Sequence, residues 1–124
     1  MTPVTDSTTA TTTATATLVC AANDILPNTG VCALVAGRHV AVFRVGGGVG
    51  ADNFFAIDNI DPKNGASVLS RGLIGNLGDQ VVVASPLYKH HFVLATGECT
   101  ENPEWSVQAH PVEVREGQVW VSLA

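Results

Sequence analysis

Long apolar runs, basic clusters, paired cysteines and helical periodicity are all scarce in this 124-residue sequence. No apolar run approaches the roughly 20 residues that a membrane helix needs, so no membrane partner is expected. Charged residues make up only 14%, with six Lys and Arg against eleven Asp and Glu, a formal net charge of −5. Nucleic-acid binding leaves a basic footprint, and none is present. Three dispersed cysteines, Cys20, Cys32 and Cys99, do not make a secreted disulfide framework. They read as small core or surface residues of a protein kept reduced in the cytoplasm. The segment from Met1 to Thr17 is rich in Thr and Ala, without the basic start and apolar stretch of a signal peptide. It reads as a disordered tail over 1–17, leaving one domain over 18–124. That domain has material for a core, because 46% of the chain is hydrophobic.

What is present is a series of short β-rich runs, each closed by turn residues. Leu18-Val19-Cys20 opens the series, and Pro27-Asn28-Thr29-Gly30 marks a loop, with one helical turn expected after Asp24. Strands are expected over 31–36, 39–45, 54–58, 81–84 and 91–95, then on either side of Pro111 and finally over 119–123. The stretch 59–72, with Asp61-Pro62 and Asn64-Gly65, is expected to be irregular. Short strands with frequent turns indicate an antiparallel all-β sandwich or barrel.

Chemical motifs are wanting. Gly46-Gly47-Gly48-Val49-Gly50 does not lead into a helix, and Gly72, Gly75 and Gly78 lack a βαβ context, so both read as loops rather than nucleotide sites. His90 and His91 are neighbours and on a strand point to opposite faces, which prevents joint chelation. His39 and His110 have no companions at ligand spacing. All four read as surface or internally satisfied histidines. No Gly-x-Ser-x-Gly elbow supports a nucleophilic serine.

Two segments carry more. Phe55 to Gly65 contains Asp61-Pro62-Lys63, and Ser85 to Cys99 contains Ser85-Pro86-Leu87-Tyr88, then Phe92 and the Thr96-Gly97 turn. Together they resemble the two cluster-binding loops of a Rieske domain, Cys-Pro-His and Cys-Pro-x-His, with the ligands replaced. Asp61 and Ser85 stand at the cysteine positions, Lys63 and Tyr88 at the histidine positions. A Rieske cluster needs two thiolates and two imidazoles. A Lys ammonium has no lone pair, and a Tyr phenol stays protonated near neutral pH, with a pKa of about 10. No cluster is therefore expected. With Ser67-Val68-Leu69-Ser70-Arg71-Gly72 and Ser85-Pro86-Leu87-Tyr88-Lys89, the chain is similar to the small subunits of NAD(P)H-dependent nitrite reductases. Ile25-Leu26-Pro27, the run from Gly30 to Val35 and the run from Val40 to Arg44 add to the resemblance, which spans about 18–123.

That resemblance implies a Rieske-like antiparallel β sandwich or barrel of stacked small sheets. It also implies a role in reducing nitrite to ammonia during nitrate assimilation. FAD, siroheme, an iron–sulfur cluster and NAD(P)H would belong to a large subunit, and this chain would support it without catalytic, cofactor or metal residues of its own. The loop tip suggests two roles. Asp61 and Lys63 would plug the space left by the cluster, hydrogen-bonding with Tyr88, while Ser70, Arg71, Tyr88 and Lys89 would face the partner. A Rieske-type ferredoxin electron carrier, a stand-alone β ligand-binding module and an enzyme acting alone are the competing readings. A coloured protein would mark the first. A deep apolar pocket without a stable partner would mark the second, and convergent catalytic residues the third.

Overall fold

The computed structural model describes residues 16–46, 52–87 and 89–124. The glycines at 47, 48 and 50 and Tyr88 lie outside the described residues.

The described residues are all-β, with ten strands in three antiparallel sheets. The strands are β1 (Ala16–Ala21), β2 (Thr29–Val35), β3 (Arg38–Gly46), β4 (Asp52–Asp58), β5 (Leu73–Leu77), β6 (Gln80–Ala84), β7 (His91–Val93), β8 (Ala109–His110), β9 (Val112–Arg115) and β10 (Gln118–Ser122). The sheet orders are β1-β10-β9, β2-β3-β4-β8 and β5-β6-β7. Strand β1 begins at Ala16, two residues inside the stretch read as tail.

The central sheet is apolar on both faces, and β3 shows why. Ala41, Phe43 and Val45 alternate with Val40 and Val42, and all five are buried. The odd-numbered set packs with Ile57, Leu69, Val83, Phe92, Leu94 and Cys99, towards the third sheet. The even-numbered set packs with Ile25, Val35, Ala56, Val119 and Val121, towards the first. A strand with period-two side chains buried on both sides reads as a continuous apolar run, and β3 does from Val40 to Phe43, before Arg44.

Two findings differ from the sequence expectation. The turn before Ile25 is a 3₁₀ turn over Ala22–Asp24, one that ends at Asp24 rather than starting after it. Leu73 to Leu77, within the stretch read as a glycine loop, is strand β5. Its Gly75 has open space where a Cβ would stand, so the glycine does not interrupt pairing with β6. Gly72, just before it, is required by close approach: a Cβ there would lie 2.2 Å from the Ala84 carbonyl oxygen.

This architecture leaves two loops side by side at one end. The first, 59–72, joins β4 to β5, and the second, 85–90, joins β6 to β7. Asn59, fully buried, anchors the first. Its carbonyl accepts from the amides of Val68 and Leu69, its side-chain oxygen from Ser70 N at 2.6 Å, and its amide group donates to Ser67 Oγ at 2.7 Å.

Candidate functional site: a hydrogen-bonded knot between two loops

The loop end is built around Asp61. It follows the isolated bridge between Ile60 and Ser67, and its carbonyl accepts from Gly65 N at 2.7 Å, which closes a tight turn. The side chain is completely buried. Asp61 Oδ2 accepts the Ser85 hydroxyl at 2.7 Å. Oδ1 accepts the Lys63 amide at 2.9 Å and lies 3.2 Å from His90 Nε2. A carboxylate only accepts, so this contact assigns the proton to Nε2 of His90.

The second loop is closed by its own backbone. Ser85 N donates to the His90 carbonyl at 2.8 Å, and Lys89 N to the Ser85 carbonyl at 3.0 Å. This folds Ser85 and His90 inward, both buried. The His90 ring meets Phe92 edge-on, with centroids 5.1 Å apart, and Trp105 at 5.2 Å. Lys63 Nζ lies 4.5 Å from the centre of the Trp105 ring. A cation over an indole face is an attractive arrangement.

Of the residues singled out from the sequence, Asp61 and Ser85 are brought into direct contact. Lys63 joins through its backbone amide and rests its side chain on Trp105. Asp61 bonds to Ser85, His90 and the Lys63 amide, and Tyr88, expected as a further partner, lies outside the described residues. Ser70, expected on a partner-facing surface, is 8% exposed, with its amide held by Asn59. Arg71 and Lys89 are exposed.

His90, Trp105 and Asn59 were not singled out. His90 precedes β7 and meets Asp61, so the two neighbouring histidines have different partners. His91 accompanies Glu101, with Nδ1 2.6 Å from Oε2, while its amide donates to Oε1 at 2.8 Å. Burial opposes ionisation of Glu101. The hydrogen bonds from His91 and Thr100 overcome it and hold the carboxyl at about 2. His39 and His110 bond to Ser67 and Asp58.

The donor set does not fit a Rieske cluster. The positions that hold one iron through two thiolates carry a carboxylate and a hydroxyl, and these satisfy each other across 2.7 Å. Lys63, at an imidazole position, offers no lone pair. Cys99 is buried in the core between β3 and β7 rather than in either loop. Burial, and secondly the charge of Asp24, push the Cys20 thiol up. Among the described residues no helix is long and apolar enough to cross a membrane.

The profile of the Rieske-like [2Fe-2S] domain matches residues 16–122. The nitrite reductase (NADH) small subunit of Salmonella typhimurium is 48% identical over 101 residues, covering 82% of this chain and 91% of that protein. The chain belongs to the nitrite reductase small-subunit family. The solution structure of the nitrite reductase [NAD(P)H] small subunit from Erwinia carotovora superposes with a TM-score of 0.74 at 47% identity, covering 89% of this chain and 82% of that one. A nitrite reductase [NAD(P)H] large subunit from Klebsiella oxytoca is 40% identical over 103 residues, 83% of this chain but 10% of that protein. The small-subunit fold therefore also stands as a short segment of a much longer chain. In this small subunit the loop end is closed by the bonds among Asp61, Ser85 and His90 described above.

Proposed function

We propose that this chain is the accessory, cluster-free subunit of a cytoplasmic NAD(P)H-dependent nitrite reductase that reduces nitrite to ammonia in nitrate assimilation. The observation that carries this reading is the hydrogen bond between Asp61 and Ser85 at the two cysteine positions. A redox chain needs an electron carrier, and this loop end holds a hydrogen-bond network centred on Asp61 instead. FAD, siroheme, the iron–sulfur cluster and the NAD(P)H site belong, on this reading, to the large subunit. The likeness of this chain to a segment of the Klebsiella oxytoca large subunit supports that partner, because fusion keeps two associating parts together. The contribution of this chain is to bind and position: the knot fixes both loops in one shape, and a preformed surface lowers the entropy lost on association.

Co-expression with the large subunit of the same genome tests it. Co-elution in size-exclusion chromatography, raised or stabilised nitrite-dependent NAD(P)H oxidation, and a colourless, iron-free small subunit are expected. Stoichiometric iron with a visible iron–sulfur spectrum in the isolated chain would instead make it a ferredoxin-like carrier.

A stand-alone binding module is the second reading, resting on a cleft of about 430 Å³ beside the first loop, lined by Arg38, His39, Ile60, Pro62, Val107 and Gln108. Its polar groups are already engaged, Arg38 with Asp58 at 2.8 Å and His39 with Ser67 at 2.8 Å. Elution of the chain alone, with no effect on the assay, would favour this reading.

A further inference from the structure

An exposed leucine forgoes about 1.5–3 kcal/mol of burial, and two of them stand at the loop end. Leu73 is 78% exposed and Leu87 is 51% exposed. They belong to adjoining stretches of chain. Leu73 pairs with Ala84 across β5 and β6, and Gly72 sits directly against the Ala84 carbonyl. Gly72 and Leu73 therefore run beside Ala84, and Leu87 follows three residues later, in the loop closed by Ser85 and Lys89. Arg71 and Lys89 accompany the leucines. Both are exposed, and neither is in an ion pair among the described residues. Lys89 also holds a left-handed backbone, with φ of +65°, where a lysine costs about 1 kcal/mol that a glycine would not.

The charge around this face is the reverse of the chain's. Lys63, Arg71 and Lys89, three of the six Lys and Arg, come from the two loops. The single carboxylate of these loops, Asp61, is buried and bonded inward. Outside these loops, Arg38, Arg44 and Arg115 pair with Asp58, Asp52 and Glu113. Negative charge resumes at Glu101, bonded to His91, and at Glu104, next to Trp105 in sequence. An apolar centre with a charged margin is the composition of a protein-binding face.

We infer that Leu73 and Leu87, flanked by Arg71 and Lys89, are the anchors of a docking face for the large nitrite reductase subunit. The surface of the large subunit that receives them is apolar at its centre and rimmed by carboxylates. This rests on the subunit reading above. Charge selects the partner surface, because a basic face on a chain of net charge −5 is repelled by a second basic face and steered by an acidic one. The leucines supply the part of the affinity that salt does not screen.

The test is the Kd between the purified chain and the large subunit, at low and high salt, for wild type and two double variants. Leu73→Gln with Leu87→Gln is expected to raise Kd at least about tenfold, as truncating central anchors does. Leu26→Gln with Leu34→Gln, at leucines 70% and 69% exposed elsewhere, is expected to leave it nearly unchanged. Arg71→Glu with Lys89→Glu is expected to weaken binding and flatten its salt dependence, and remains informative should the leucine pair fail to fold. Circular dichroism confirms folding of each. A wild-type chain that does not bind sinks the subunit reading itself. A wild-type chain that binds, with the loop-end leucines neutral or the control pair equally damaging, overturns only the docking face.

Discussion

Asp61 shows how one residue can hold two loops together. It accepts the Ser85 hydroxyl, the Lys63 amide and the His90 ring while completely buried. A buried carboxylate persists only when its lone pairs are used. Asp61→Asn keeps the shape but puts an NH2 donor in place of one accepting oxygen, facing either the Ser85 hydroxyl or the Lys63 amide and His90 ring, and should lower stability by about 1–3 kcal/mol in urea unfolding. Ser85→Ala, which leaves one oxygen unsatisfied, should cost about 1–3 kcal/mol. The pairing was partly legible: the two residues stand where two thiolates share one iron, so the fold has to bring them together. His90 was not legible, because its inward turn depends on the backbone closure between Ser85 and Lys89, which residue types do not reveal. Glu101 makes a prediction in pH. Its folded value of about 2 lies below the usual 4.5, so the unfolded chain binds the proton more tightly. Its contribution to stability is present above about 4.5 and lost as pH falls toward 2. A carboxyl-carbon NMR titration should give a midpoint near 2, and one near the ordinary value would show the His91 contact to be absent in solution.

Strands were legible in proportion to their burial. Strand β3 carries the apolar run from Val40 to Phe43 and then Val45 because both faces are covered, and its expected range, 39–45, is within one residue of Arg38–Gly46 at each end. Strand β5 was hidden for the opposite reason. It is an edge strand, exposed at four of its five residues, and carries Gly75 with Gly72 and Gly78 beside it, which imitates a loop. Tertiary pairing with β6 overrides that local preference. The same close approach gives a test. Gly72→Ala puts a methyl against the Ala84 carbonyl, and backbone must move on one side. A loss of about 1–3 kcal/mol is expected, read as a lower melting midpoint. Gly75→Ala, with open space at the same atom, should be close to neutral.

For the whole molecule, composition and turn spacing were enough for the all-β class, the motif remnants at Asp61-Pro62 and Ser85-Pro86 for the Rieske likeness, and the runs 67–72 and 85–89 for the family. The docking side chains were not, since exposure of Leu73 and Leu87 is a property of the folded surface. The fold has kept the two-loop end of a Rieske-like domain and filled it with hydrogen bonds. A molecule arranged in this way offers a shaped, basic face on an acidic body, suited to binding a partner. The central claim is that this chain serves the large nitrite reductase subunit without iron of its own. Its most direct test is metal analysis and the visible spectrum of the small subunit released from the co-purified complex, with nitrite-dependent NAD(P)H oxidation measured before release and after its return. The account predicts no iron in the released chain, activity or stability that falls on release, and recovery when the chain is added back. Iron bound to the released chain, or activity indifferent to its presence, would contradict it.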